Sequence, residues 1–186
     1  YEIDSCLVGS EMCIRDRLAD RITRAYEWRN KYFPDSSYRL IYGDGDGLPG
    51  LVVDRFGDHL VVQTTTCGVY NMLDQIVETL VSVVAPKGIL LRNDADIESE
   101  QLPAETRVVF GEVPELCTVV ENSMAFSVPV RTGQKTGWFF DHRDSREYLK
   151  RLVSGARVLD VYSYLGAWGL MAMDCLLYTS DAADDQ

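Results

Sequence analysis

Gly45-Asp46-Gly47-Leu48-Pro49-Gly50-Leu51-Val52-Val53-Asp54-Arg55-Phe56-Gly57-Asp58-His59-Leu60-Val61-Val62-Gln63 is the stretch on which the reading of the fold turns. Its first six residues satisfy G-x-G-x-x-G, the spacing of a dinucleotide-binding loop. Such a loop works between a strand and a helix, with the helix N-terminus facing the pyrophosphate. Here Leu51-Val52-Val53 follows instead, a run that reads as a strand. Pro49 withholds one N–H donor, and Asp44 and Asp46 would repel phosphate. The glycines are therefore read as a structural turn. Residues 51–55 and 59–63 then pair as a hairpin through Phe56-Gly57-Asp58, and the fold begins as antiparallel sheet.

Working outward, residues 18–33 carry Leu18, Ile22, Ala25, Tyr26, Trp28 and Tyr32 at helical spacing, with an arginine-rich outer face that includes Arg21, Arg24 and Arg29. Pro34 and Asp35-Ser36-Ser37 end that helix, and residues 38–42 read as a strand. Downstream, Met72, Leu73, Ile76, Val77, Leu80 and Val84 form one stripe of a helix over 70–84, stopped by Pro86-Lys87-Gly88. Residues 89–92 are a short buried strand, an acidic loop covers 94–105, and further strands are expected at 107–111, 117–121 and 124–130. Residues 18–131 are thus expected to form a mixed α/β domain of mostly antiparallel strands and two helices. Past Thr132 the character changes: a charged helix at 143–152, a buried strand at 157–161, and a helix start at 166–173. That strand, turn and helix form the first half of a βα unit, so residues 132–174 are expected to open a second domain.

The two ends read differently. Residues 6–16 resemble the translation of a transposase-based sequencing adapter, in which gtg-ggc-tcg-gag-atg-tgt-ata-aga-gac gives residues 8–16. The codons tgt-ctc-tta-tac-aca-tct-gac-gct-gcc-gac give residues 175–184. Residues 1–17 and 175–186 are accordingly set aside as adapter-like before fold reasoning and are expected to form poorly packed tails, with natural tails as the alternative. The chain holds 29 acidic and 18 basic residues, a net charge of −11, but seven of those acids and two of the bases lie in the set-aside ends. What is left is mildly acidic and carries no global basic field of the kind that drives nonspecific nucleic-acid binding, although a local patch stays open. Of five cysteines, only Cys67 and Cys117 lie outside the ends. They offer no disulfide framework and no metal-ligand spacing, so a reducing cytoplasm and no metal are expected. No apolar run approaches the ~20 residues needed to span a bilayer.

Residues 131–146, Arg-Thr-Gly-Gln-Lys-Thr-Gly-Trp-Phe-Phe-Asp-His-Arg-Asp-Ser-Arg, place two glycines, a cation and three consecutive aromatics before a helix that Asp141 is positioned to cap. Aromatic faces beside fixed charges suit a flat, polar, partly cationic ligand. An aromatic cluster sealing a domain junction is the equally weighted alternative. Val158-Leu159-Asp160-Val161 runs into Tyr162-Ser163-Tyr164-Leu165-Gly166-Ala167-Trp168-Gly169. In open α/β sheets ligands bind beyond the C-terminal ends of strands, where Gly166 permits close backbone approach and Asp160 offers an acid for a hydroxyl or ammonium. A tight turn with a buried Asp cap is the alternative.

In combination these motifs are specific. Residues 38–41, 46–50, 54–57, 134–146 and 158–164, in that order, resemble the class I S-adenosylmethionine-dependent ribosomal RNA methyltransferases of the large-subunit 5-methylcytosine type. The resemblance covers residues 18–174. It implies an RNA-binding PUA domain, then this central α/β domain, then a Rossmann-like methyltransferase domain of which the chain holds the start. By that match Lys135, Thr136, Gly137, Phe139, Phe140, Asp141 and Arg143 lie near S-adenosylmethionine. Asp160, Ser163, Tyr164 and Gly166 match the first methyltransferase motif, with Tyr162 and Tyr164 where the wider class often has glycine.

The resemblance also implies ribosomal RNA as partner, a ribose-binding acid and a catalytic cysteine, both expected beyond Asp174. Neither Cys67 nor Cys117 sits in a matching motif, so each is read as a small buried apolar residue, no catalytic residue is assigned, and the chain alone is expected to be inactive. An RNA-binding module without catalysis and a methyltransferase of a small molecule are the rival readings.

Overall fold

The computed structural model describes residues 4–93, 102 and 104–174, with side chains from residue 14 onward. In chain order the elements are α1 (Asp4–Tyr32), β1 (Ser37–Tyr42), β2 (Leu51–Phe56), β3 (His59–Thr64), α2 (Cys67–Asn71), α3 (Leu73–Val84), β4 (Gly88–Asn93), β5 (Glu105–Gly111), β6 (Leu116–Glu121), β7 (Met124–Pro129), α4 (Arg143–Leu152) and α5 (Ala167–Met173). The first five strands form one sheet in the order β1-β2-β3-β4-β5, and β6 and β7 form a separate hairpin. Only β3 and β4 run parallel, bridged by α2 and α3; the other pairs are antiparallel. The fold is the expected mixed α/β architecture.

The glycine-rich stretch is the expected turn. Residues 43–46 make a single 3₁₀ turn closed by Gly47 at φ +67°, and β2 follows. Asp46 accepts a bidentate pair from Arg29 at 2.7 and 2.8 Å and a bond from the Tyr42 amide at 2.6 Å. The carboxylate is thus consumed in pinning the turn to α1. The hairpin closes through the two residues Gly57-Asp58, with Phe56 opposite His59 and Val53 opposite Val62.

Successive strand residues point to opposite faces, and here both faces are covered. Leu51, Val53, Leu60, Val62, Ile89 and Leu91 face α1 and α3, meeting Leu18, Ile22, Leu73, Ile76 and Leu80. Phe56, Val61 and Leu90 face the other way, onto Val119, Phe126 and Val128 of the hairpin, Trp138, and Ala167 and Met171 of α5. Each fully buried Leu, Val or Phe contributes about 1.5–3 kcal/mol from burial alone. The result is three layers: helices, sheet, and a cover formed by the hairpin with the C-terminal segment. That cover carries the candidate site.

Several expectations are corrected. The helix expected over 70–84 is two: α2 starts at Cys67, where the Thr66 side chain accepts the Val69 amide, and the path breaks at Met72 before α3. The α1 stripe is Leu18, Ile22 and Ala25 and continues into Arg29, not Trp28 and Tyr32, which are 59% and 53% exposed and meet each other at a tilt with centroids 4.8 Å apart. An α-helix turns 100° per residue, so Trp28 is rotated about 80° away from Leu18, whereas Tyr32 keeps the angular position of the row and is exposed at the last residue of the helix. Arg29 therefore belongs to the inner row, not to a free basic face. The helix also continues past the expected boundary to Asp4; residues 14–17 are exposed and burial begins at Leu18. The C-terminal stretch 175–186 and most of the acidic loop 94–105 lie outside the described residues. No described helix is long and apolar enough to cross a membrane.

The largest departure concerns residues 157–161. They form no strand and pair with none of the described strands, and Leu159 and Val161 are 73% and 56% exposed rather than buried. A strand exists by virtue of its ladder partners, and hydrophobic content alone does not supply one.

Candidate functional site

Residues 130–142 leave β7 and cross the hairpin face of the central sheet. Three charged side chains, each nearly or fully buried, meet this segment. Asp54 of β2, fully buried, accepts from the Thr136 hydroxyl at 2.6 Å and from Arg39 at 2.8 and 3.0 Å. Arg92 of β4 donates to the carbonyl of Val130 at 2.9 Å and to that of Gly133. Glu121 of β6, fully buried, accepts from the Trp138 indole at 2.9 Å and from Arg146 of α4 at 2.5 and 2.8 Å. Arg146 also donates to the Phe139 carbonyl at 2.8 Å and lies 4.9 Å from the Trp138 ring centroid.

The segment is gripped from its other side by the turn before α5. The Tyr164 hydroxyl accepts from the Gln134 amide at 3.0 Å and donates to the Gly137 carbonyl at 3.1 Å. Around it lies an aromatic platform: Phe139 stacks on His142 at 5.5 Å, meets Tyr164 edge-on at 6.1 Å, and carries the Lys135 ammonium 4.8 Å above its ring. His142 continues the platform to Trp168 at 5.7 Å. Backbone torsions here are unusual. Lys135, Tyr162 and Tyr164 all hold φ between +53° and +59°, a region that side-chain-bearing residues rarely adopt.

The residues singled out from sequence fall into two groups. Lys135 and Asp141 are exposed, Phe139 and Ser163 are half-buried, and Tyr164 is 42% exposed; these five border the platform or the turn leading into α5. The others are bound into the protein. Thr136 is held by Asp54, and Gly137 is buried. Phe140 packs on Phe56 at 5.4 Å, and Arg143 donates to the Ser37 carbonyl and stacks 5.0 Å from Phe33. Asp160 accepts the Gly169 amide of α5 at 2.8 Å, and Gly166 precedes α5 at φ +70°. Asp141 does not cap α4; it sits in a 3₁₀ turn over 140–142, and His142 occupies the cap position without a side-chain bond. The turn holds the Asp141 side chain out in solvent, away from the first α4 amides.

Asp54, Arg92 and Glu121 were not singled out from sequence. A signal for them exists: in the period-two pattern of β2, β4 and β6 they occupy the same face as Phe56, Leu90, and Cys117 with Val119. A charge at a core-facing strand position demands a buried partner.

Cys117 is buried as expected, and burial pushes its thiol up to about 11; Cys67 is only half-buried. The thiolate is the nucleophile, so Cys117 is chemically quiet at neutral pH. A raised folded-state pKa contributes stability that is complete below the unfolded thiol pKa of about 8.5 and is lost as pH rises through 11. Iodoacetamide at pH 8, followed by peptide mapping, is expected to label Cys67 while leaving Cys117 at least ~10-fold less modified; equal labelling would contradict this environment.

No family model matches. The chain is 38% identical over 167 residues to ribosomal RNA large subunit methyltransferase I of Shewanella amazonensis, covering 85% of this chain and 41% of that protein. That similarity is to part of a large-subunit rRNA methyltransferase. Among solved structures it resembles a protein described as a SAM-dependent methyltransferase from Streptococcus mutans, with TM-score 0.72, 25% identity, and coverage of 86% of this chain and 42% of that one. It shares its fold with a methyltransferase solved with SAH, at TM-score 0.73 and 24% identity over 86% of this chain and 41% of that one. The chain thus spans about two fifths of the length of each of these three proteins.

Proposed function

We propose that this chain is part of a SAM-dependent methyltransferase that modifies large-subunit ribosomal RNA in the cytoplasm, with C5 of a cytosine as the methylated atom. In this reading residues 18–131 are a central domain, residues 132–174 open the methyltransferase domain, and the adapter-like ends are not part of the enzyme. The observation that carries the reading is the joining of the 132–142 segment to the turn before α5 through Tyr164, which merges two motifs 30 residues apart into one aromatic, mixed-charge surface. The rRNA methyltransferase relatives support the substrate class.

The exposed side chains suit S-adenosylmethionine chemically. Phe139 and Tyr164 offer ring faces to a flat base and a sulfonium. The Asp141 carboxylate and Ser163 hydroxyl accept from an ammonium or ribose hydroxyl, and Lys135 pairs with a carboxylate. When bound, the cofactor supplies an electrophilic methyl group. Thr136, Gly137, Phe140, Arg143, Asp160 and Gly166 serve the site by shaping the backbone, since each is packed or hydrogen-bonded within the protein. No described cysteine stands at the platform, so attack on the base falls to residues outside those described, and the chain alone is expected to be inactive.

The test is transfer of a labelled methyl group to large-subunit RNA. No incorporation is expected from this chain, and incorporation at a cytosine is expected from the protein encoded by the uninterrupted reading frame. Robust turnover by the chain would overturn the inactivity, and a silent intact protein would overturn the enzymatic reading. Salt-sensitive RNA binding that SAH does not alter would favour a binding module instead.

A further inference from the structure

We propose that Asp54 and Arg92 of the central sheet and Glu121 of the β6-β7 hairpin are positioning residues that set the shape of the cofactor-facing segment. This inference rests on the reading of residues 132–142 as that segment, and it assigns to the central domain a part in the site itself. The three side chains come from three different strands and reach the segment at separate points: the carbonyls of Val130 and Gly133, the Thr136 hydroxyl, and the Trp138 indole. Each is at most 5% exposed. Three charged side chains buried between an otherwise apolar sheet and hairpin are costly in desolvation unless their polar atoms are engaged, and a neutral core would seal the same junction more simply. Each bonds to this one short segment, Asp54 also to Arg39 and Glu121 also to Arg146.

The conformation they hold needs holding. Lys135 sits at φ +53° between the Arg92 contact at Gly133 and the Asp54 contact at Thr136, so both flanks of this disfavoured residue are fixed. That torsion is what carries the Lys135 ammonium over Phe139. The clamp from the sheet and the Tyr164 grip from the opposite side together leave the segment one conformation, which is the preorganisation a ligand-facing surface requires.

The test compares Arg92→Lys and Asp54→Asn with the parent in the full 186-residue chain by hydrogen exchange and SAH titration. Arg92→Lys keeps the charge but reaches one carbonyl rather than two. The amides of Gly133, Gln134 and Gly137 are hydrogen-bonded within the clamp and are expected to exchange at least ~10-fold faster in both variants. Amides of β2, β3 and α3 keep parental rates. SAH affinity is expected to fall in parallel with the faster exchange. Unchanged exchange at 133–137 overturns the proposal, and so does acceleration spread evenly over the chain, which would make these residues merely structural. Localised acceleration with SAH affinity held at the parental value overturns the positioning of the ligand surface. If the parent itself binds no SAH while the acceleration stays local, the clamp stands and the cofactor reading of the segment fails.

Discussion

Glu121→Ala is expected to destabilise the chain by about 3–5 kcal/mol, the cost of removing one partner from a buried ion pair. Glu121 has no exposed side-chain surface and Arg146 only 2%, so water cannot replace the lost carboxylate. The substitution leaves the Arg146 guanidinium with only the Phe139 carbonyl and the Trp138 indole without its acceptor, beside an apolar cluster of Phe126, Val128 and Met171. Arg143, 3.8 Å from the same carboxylate, loses its nearest counter-charge. Urea unfolding followed by tryptophan fluorescence gives the measurement, and a loss below about 1 kcal/mol would show the pair to be solvated after all. Adding Arg146→Met should return much of the loss, because removing both charges removes the uncompensated one.

Gly137→Ala is expected to cost about 2–5 kcal/mol by adding backbone strain to overpacking. Gly137 holds φ +111°, and an added Cβ would stand 2.7 Å from Val128 Cγ1 and 3.3 Å from the Pro129 carbonyl oxygen. Val128 is fully buried in the hairpin core and has no room to retreat. Gly57→Ala is the control: its φ is +63°, but nothing lies within 4 Å of the added atom, so only the left-handed penalty of about 1–2 kcal/mol applies. Equal losses for the two variants, read from the same urea curves, would mean that packing around Gly137 contributes nothing.

Much of the architecture was legible locally. Leu51-Val52-Val53 after the glycines excluded a dinucleotide loop, and the Gly57-Asp58 turn set the hairpin register, because turn chemistry and period-two patterning act over a few residues. The same reasoning located α3, α4 and α5. It misjudged Trp28 and Tyr32 because an apolar residue at helical spacing need not stay on the inner row once the helix runs past the sheet. It also misjudged residues 157–161, since strand-like composition contains no information about whether a partner strand lies alongside.

For the candidate site, sequence alone determined the residue types and their grouping: aromatic, glycine-rich and charged around 131–146, and acid-turn-glycine around 160–166. Which of those side chains face solvent, and which are spent on the protein's own framework, only the tertiary structure decided. Thr136 meets Asp54 across 82 residues, and Arg92 meets Gly133 across 41. The local pattern says only that Asp54 and Arg92 are charges on a buried face; their partners are chosen by the layering of the cover on the sheet. Burial forces such charges to find acceptors or donors, and the packing of distant segments determines where those are.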